Sequence, residues 1–315
     1  MDHHPLVSVV IATYNGAPYL SSQLKSILSQ TYSNIEIIVT DDQSEDATVD
    51  IVREFAKSDQ RIQIHINDKR FGYTLNFLRG LQQSRGEMVC FCDQDDAWRS
   101  DKIEQLLNSF LANNKLCLAF SDLEVCDEHL KIIHPSFFRL IKMNPTRKTT
   151  KEEAILKNRI PGCAMMFRKC VVDKLLRAID GEVPLMHDHF VFLLASALGE
   201  IYFVDKPLVK YRQHRKNVTA ILKKIEFNHT SFVESTERTI EYMKQHLSKE
   251  LSIDYNRLIR FLELYEFRKG NHRIDYLNYF QCLRDDTAKD RLLAFLECVF
   301  PSCYMKLKNL FGVSI

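Results

Sequence analysis

Three carboxylates crowd into four residues at Asp93, Asp95 and Asp96. The residues before them, Met88 to Cys92, are apolar and β-prone, the composition of a buried strand. The acids therefore sit where a strand leaves its sheet. In open α/β sheets, ligands bind beyond the carboxyl ends of the strands. Clustered carboxylates repel one another unless a cation or solvent relieves the strain. Hard oxygen ligands suit Mg²⁺ or Mn²⁺, and those ions in turn suit a diphosphate. A solvated acidic turn capping the next helix has the same composition, and the motif by itself leaves both readings open.

Other polar groups recur at strand ends. The run Leu6 to Ala12 reads as a buried strand that ends in Thr13-Tyr14-Asn15-Gly16. Asn15 and Gly16 suit a tight turn. Ile35 to Thr40 reads as a second strand, ending in Asp41-Asp42. If these strands neighbour Met88 to Cys92, all three polar tips open onto one crevice. Farther on, Asp188 precedes an apolar helix through Val191 to Leu198. A helix N-terminus favours an ionised carboxylate there, and an ordinary capping residue would look the same. His214 lies in Tyr211-Arg212-Gln213-His214-Arg215, just after a predicted strand. It is a candidate ligand for a metal or a diphosphate-bound ion, and equally a satisfied surface histidine.

The elements that must hold these groups alternate. Leu20, Leu24, Ile27 and Leu28 recur at helical spacing, predicting a helix to about Gln30. Asp46 or Ser44 is placed to cap a helix with the stripe Val49, Val52, Phe55 and Ala56. Ile62 to Ile66 reads as a short strand, Thr74 to Gln83 as a helix, Asp101 to Ala112 as another. Leu116 to Phe120, Ala164 to Phe167, Ile201 to Val204 and Pro207 to Lys210 read as further extended pieces. Strand-helix alternation with short connections implies parallel strands joined by right-handed crossovers. Residues 127 to 158 are mixed, basic and aromatic, fitting either an acceptor-side loop or a plain solvated one.

The chain has 315 residues, enough for one large domain or a domain with an extension. Its net charge of +2 gives no indication of a nucleic-acid partner. Nine cysteines occur without a CxxC pair. An odd count and no signal peptide lead us to expect a reducing, cytoplasmic setting. No apolar run approaches the ~20 residues of a spanning helix. Neither GxxxxGK[ST] nor GxGxxG is present, so a carboxylate-held metal would have to neutralise any bound phosphates. The absence of Lys and Arg from Thr13 to Gly16 also argues against a nucleotidyltransferase. From about Asn228 helical periodicity dominates. Arg291 to Phe311 fits either an amphipathic membrane-surface segment or one that packs on protein.

Taken together, the ordered motifs resemble a family-two glycosyltransferase of the GT-A fold. They are Val-Ser-Val-Val-Ile-Ala-Thr-Tyr-Asn-Gly, then Ile-Glu-Ile-Ile-Val-Thr-Asp-Asp-Gln-Ser-Glu-Asp-Ala-Thr, then Asp-Gln-Asp-Asp-Ala-Trp. Gly162 to Phe167, His187-Asp188 and Tyr211 to His214 resemble, more narrowly, bacterial rhamnosyltransferases of surface-polysaccharide assembly. The resemblance covers roughly residues 5 to 218. It implies an α/β GT-A domain, mostly parallel sheet flanked by helices, over residues 1–220, with a helical extension over 221–315. It implies that Thr13, Asn15 and Asp42 contact the nucleoside, that Asp93 lies near the ribose, and that Asp95, with Asp96 as close competitor, binds Mg²⁺ or Mn²⁺. His214 would complete that site and Asp188 would be the general base. Relatives commonly carry Glu-Asp where this chain has His187-Asp188, which leaves His187 without a role. The implied reaction is inverting transfer of a sugar, best read as L-rhamnose from dTDP-rhamnose, to a surface polysaccharide or lipid-linked acceptor. A UDP-hexose or UDP-N-acetylhexosamine donor and a non-catalytic sugar-binding scaffold are the alternatives. A peripheral site at the inner face of the cytoplasmic membrane, through the C-terminal segment, fits the same picture.

Overall fold

The computed structural model describes residues 4–147, 154–155, 158, 160–179, 185–215, 217 and 238–246. In chain order the elements are β1 (Val7–Thr13), α1 (Ala17–Leu28), β2 (Ile35–Asp41), α2 (Thr48–Ser58), β3 (Ile62–Ile66), α3 (Tyr73–Gln83) and β4 (Met88–Asp93). Then come β5 (Ala97–Trp98), α4 (Lys102–Ala112), β6 (Leu116–Cys126), β7 (Ile132–His134), α5 (Phe137–Leu140), β8 (Met165–Arg168), α6 (Lys169–Ala178), α7 (His187–Leu198) and β9 (Glu200–Arg212). Among the described residues these strands form one sheet in the order β3-β2-β1-β4-β8-β6-β9-β5, with β7 hanging from β6.

The first half of the sheet is parallel: β1 pairs with β2 and β4, and β2 with β3. Its central strands β1, β2 and β4 are almost wholly buried, as strands inside a parallel sheet are, with Val9, Val10, Ile11, Ile37, Ile38, Cys90 and Phe91 fully so, while the edge strand β3 is half-exposed. The helices bury the stripes that their periodicity requires: Leu20, Leu24 and Ile27 on α1, and Ile103, Leu106 and Phe110 on α4. Beyond β4 the sheet is mixed, since β8 runs antiparallel between β4 and β6.

Several elements differ from expectation. The strand expected from Leu116 to Phe120 runs on to Cys126, and the two pieces around Ile201 and Pro207 are one strand, β9. Pro207 lacks an N–H for the ladder and sits where the β6–β9 register shifts, which is why the sequence looks interrupted there. Neither Ser44 nor Asp46 occupies the cap position of α2; Ala47 does, while Asp46 accepts from the Thr48 and Ala17 N–H groups.

The chain divides into two compact units, 1–141 with 145–226, and 142–144 with 227–315. The second has one described helix, 238–246, with Ile240 and Met243 buried. The rest of the expected helical stripe, through Tyr265, and the segment from Arg291 to Phe311 lie outside the described residues. No helix among the described residues is long and apolar enough to cross a membrane.

Candidate functional site

Register places the polar tips side by side. Thr13 lies opposite Asp41, and Ala12 opposite Asp93, so β2, β1 and β4 end within one residue of each other. The three polar strand ends expected to lie together therefore do so.

Its β2 side is built from short polar bonds. Asp41 is fully buried and accepts from the Thr13 hydroxyl (2.7 Å), the Ser44 hydroxyl (2.6 Å) and the Ser44 N–H (2.8 Å). Asn15 takes the left-handed φ of 48° that its side chain tolerates, and its Oδ1 accepts from the Glu45 N–H at 2.8 Å. Asp42 accepts from Asn67 Nδ2 (3.0 Å), the Phe71 N–H (2.8 Å) and the Gly72 N–H (2.7 Å). A carboxylate offers about four acceptor sites, so Asp42 has capacity for roughly one more donor. Gly72, at φ 82° and ψ 163°, occupies a conformation that is almost glycine's alone. Arg70 lays its guanidinium 3.8 Å from the Tyr14 ring centroid, across the same rim.

The β4 side is the acidic turn. Gln94 clips it to β1: its Oε1 accepts from the Tyr14 N–H (3.0 Å) and its Nε2 donates to the Tyr14 carbonyl (3.1 Å). A Cβ on Gly16 would fall 2.1 Å from that Oε1, so only glycine permits this clip as it stands. Asp95 reaches the chain just past the end of β9, where its Oδ2 pairs with His214 Nε2 at 2.7 Å. The His214 ring stacks on Tyr19, centroids 4.6 Å apart. Arg212 gives its N–H to Asp96 Oδ1 (3.0 Å) and its Nε to the Asp95 carbonyl (2.5 Å).

Asp96 turns inward and is fully buried, and its Oδ2 accepts no hydrogen bond among the described residues. Asp93, Asp96 and the thiol of Cys163 bring one ligand atom each within 4.8 Å of one another. One cation with bonds of about 2.0–2.5 Å can span such a set. Burial, and then the neighbouring Asp95, push the Asp93 carboxyl up to about 7. Burial, Asp95 and Asp93 raise the Asp96 carboxyl well above its ordinary value. The structure divides the expected trio: Asp95 pairs with His214, while Asp96 is buried and lies with Asp93 and Cys163. An orphaned buried oxygen within a cluster of acids fits a divalent cation.

Beneath the turn lies a cation that periodicity did not single out. Lys102 is fully buried, donates its Nζ to the Cys163 carbonyl at 2.7 Å and lies 3.2 Å from the Trp98 ring centroid. Burial lowers its pKa, while nearby thiols and Asp96 oppose that shift.

Asp188 faces this cluster from α7, in the helix's first turn, with Met186 rather than an acid in the cap position. It is buried, and its Oδ1 accepts from the His189 N–H at 2.7 Å. Burial raises its carboxyl to about 6 against the pull of these hydrogen bonds. Its charge is felt at Asp93. His187 finds its place in packing: the ring stacks on Phe77 (4.0 Å) and meets Phe91 edge-on (4.8 Å). Burial drops its pKa to about 3, so it stays neutral. Gly162 lets both residues approach, since a Cβ there would lie 3.2 Å from Asp188 Cβ and from His187 Nε2.

This arrangement can hold a cation and an anionic ligand at the strand tips, with one carboxylate opposite to take a proton. The family model for glycosyl transferase family 2 matches residues 8–175. A dTDP-rhamnosyl transferase, RfbG of Shigella flexneri, is 29% identical over 221 residues, 66% of this chain and 72% of that one. Among solved structures, S. aureus TarS residues 1–349 in complex with UDP-GlcNAc matches with a TM-score of 0.59 at 15% identity, over 89% of this chain and 80% of that one. The mannosyltransferase PcManGT of Pyrobaculum calidifontis, in complex with GDP-Man and Mn²⁺, matches with a TM-score of 0.51 at 17% identity, over 99% and 80%. These likenesses show the GT-A fold.

Proposed function

Because this chain belongs to glycosyl transferase family 2, we propose that it is a metal-dependent inverting transferase. It moves a sugar, rhamnose from dTDP-rhamnose in the preferred reading, to a saccharide of a surface polysaccharide or its lipid-linked precursor. The observation that supports this best is the meeting of Asp93 and the orphaned Asp96 at the strand tips, with Asp188 opposite. The named activity of RfbG supports the donor.

In this reading Thr13, Asn15 and Asp42 border the nucleoside. The remaining acceptor capacity of Asp42 takes the N–H of a pyrimidine edge. Asp93 stands by the ribose and the cation. Asp95 and Asp96, with His214 behind Asp95, hold Mg²⁺ or Mn²⁺. The ion, when bound, neutralises charge on the diphosphate leaving group. Asp188 accepts the proton of the attacking hydroxyl, and its pKa of about 6 leaves it mostly ionised at neutral pH while keeping it basic. One base with in-line attack inverts the anomeric centre. The transferase spans 1–220, and 221–315 is an extension whose last segment, 291–315, touches the inner membrane surface; loss of that segment would then weaken liposome flotation. The TarS complex with UDP-GlcNAc favours a second reading, a UDP-linked donor in the same site.

Calorimetric titration tests this. dTDP-rhamnose, UDP-glucose, UDP-galactose and UDP-N-acetylglucosamine are titrated with Mn²⁺ and then with EDTA. Binding of dTDP-rhamnose that EDTA abolishes is the expected result. Binding of a UDP-sugar alone overturns the donor, and no binding to folded protein overturns the enzyme reading in favour of a scaffold.

A further inference from the structure

The thiol of Cys163 is the odd member of the acidic cluster. Cys163 is fully buried in the short turn Gly162–Ala164. Buried cysteines usually stand among apolar groups, where they pack as small hydrophobes. Here the sulfur stands against two carboxylates, Asp93 and Asp96. The turn is not free to withdraw it, because Lys102 Nζ grips the Cys163 carbonyl at 2.7 Å. Asp96 adds a second sign of a missing partner: it is fully buried, and its Oδ2 accepts no hydrogen bond among the described residues.

Oxygen-only sites suit Mg²⁺ and Mn²⁺, whereas a thiolate draws softer, thiophilic ions. We propose that Cys163 is a ligand of the metal site formed by Asp93 and Asp96, and that it shifts this site's preference from Mg²⁺ towards thiophilic divalent ions such as Zn²⁺ and Cd²⁺. The inference rests on the metal reading above and deepens it. Binding would release the thiol proton to solvent as the S–metal bond forms, with no change in oxidation state.

The test uses the full chain and the metals alone. Mn²⁺ is titrated by its electron paramagnetic resonance signal and then displaced with Cd²⁺, while the ultraviolet thiolate-to-cadmium charge-transfer band is followed. We expect Cd²⁺ to displace Mn²⁺ with appearance of that band. Cys163→Ser should retain Mn²⁺, lose the band, and bind Cd²⁺ more weakly by on the order of tenfold or more. Asp96→Asn leaves the thiol in place and should lose the same band, so the proposal stays testable if Cys163→Ser does not fold. Displacement without the band, or a band that persists in Cys163→Ser, overturns the role of Cys163 and leaves the metal reading standing; a band that persists in Asp96→Asn overturns the shared site, since the thiolate then binds without that acid. Failure to bind either ion overturns the metal reading itself.

Discussion

Two buried carboxylates lie at opposite ends of the same parallel strands and behave in opposite ways. Glu36, near the start of β2, accepts from the Ser8 hydroxyl (2.6 Å), the Arg85 N–H (2.7 Å) and Arg85 Nε (2.9 Å). Burial would raise its pKa, but these bonds outweigh burial and lower it. Asp96, past the end of β4, is as deeply buried, yet one of its oxygens has no donor, and its pKa is driven up. A carboxylate whose acceptor sites are filled holds the fold together. One left partly empty in a low-dielectric setting carries a cost in its ionised form that a proton or a bound cation relieves. The rear of the sheet is thus closed chemistry, and the front is open chemistry.

The sharpest way to break this contrast is Asp188→Asn. Loss of a positioned base should cut transfer by roughly 10²–10⁴-fold while donor affinity, read by calorimetry, is unchanged. A fall in melting temperature with little loss of rate would place Asp188 with Glu36 instead. Next is the paired comparison of Glu36→Gln and Asp96→Asn by urea unfolding without metal. Glu36→Gln should cost up to about 3 kcal/mol, less to the extent that the mostly exposed Arg85 returns to water. Asp96→Asn should leave stability unchanged or raise it, because the amide keeps an acceptor for the Arg212 N–H and removes the cost of ionising a buried carboxyl that has one oxygen without a donor.

The pH dependence of metal-free stability should separate the two ends in sign. Glu36 has a lowered folded pKa, so its contribution is present above the ordinary carboxylate range and is lost as pH falls through the folded value. Asp93 has a raised one, so the folded state holds the extra proton and stability falls as pH rises from 3.8 to about 7. Asp93→Asn should make that descending limb shallower in a series of melting curves, since the raised carboxyls of Asp96 and Asp188 also contribute to it, and leave the acid limb in place. The smallest effect is expected at Gly72→Ala. There is room for the methyl group, but the backbone conformation should cost about 1 kcal/mol and loosen the Gly72 N–H on Asp42.

Much of the front face was legible because apolar runs that end in acids say where strands stop. Thr13, Asp42 and Asp93 could be placed at strand tips from that alone, and β1, β2 and β4 do lie side by side. What escaped was every contact made by a residue whose type gives no periodic signal. Lys102 reads as an ordinary first-turn lysine of α4, and only the fold reveals that it points inward to Cys163. Gln94 sits between two aspartates and gives no sign that it clips Tyr14 across 80 residues of sequence. Glu36 did carry a signal, a charge inside the apolar run Ile-Glu-Ile-Ile, which a buried strand tolerates only with partners. His187 had no role in the motifs because its role is packing against Phe77, a contact set by tertiary structure.

The bond between the Arg212 N–H and Asp96 Oδ1 spans 116 residues, and that span has a meaning in time. Ribosomes deliver chain at about 5–20 residues per second. For roughly 6–23 s after Asp96 is made, the backbone that will hold it does not yet exist. Through that interval the acids that follow β4 lack both Arg212 and His214, so the acidic turn can be completed only once β9 has been made.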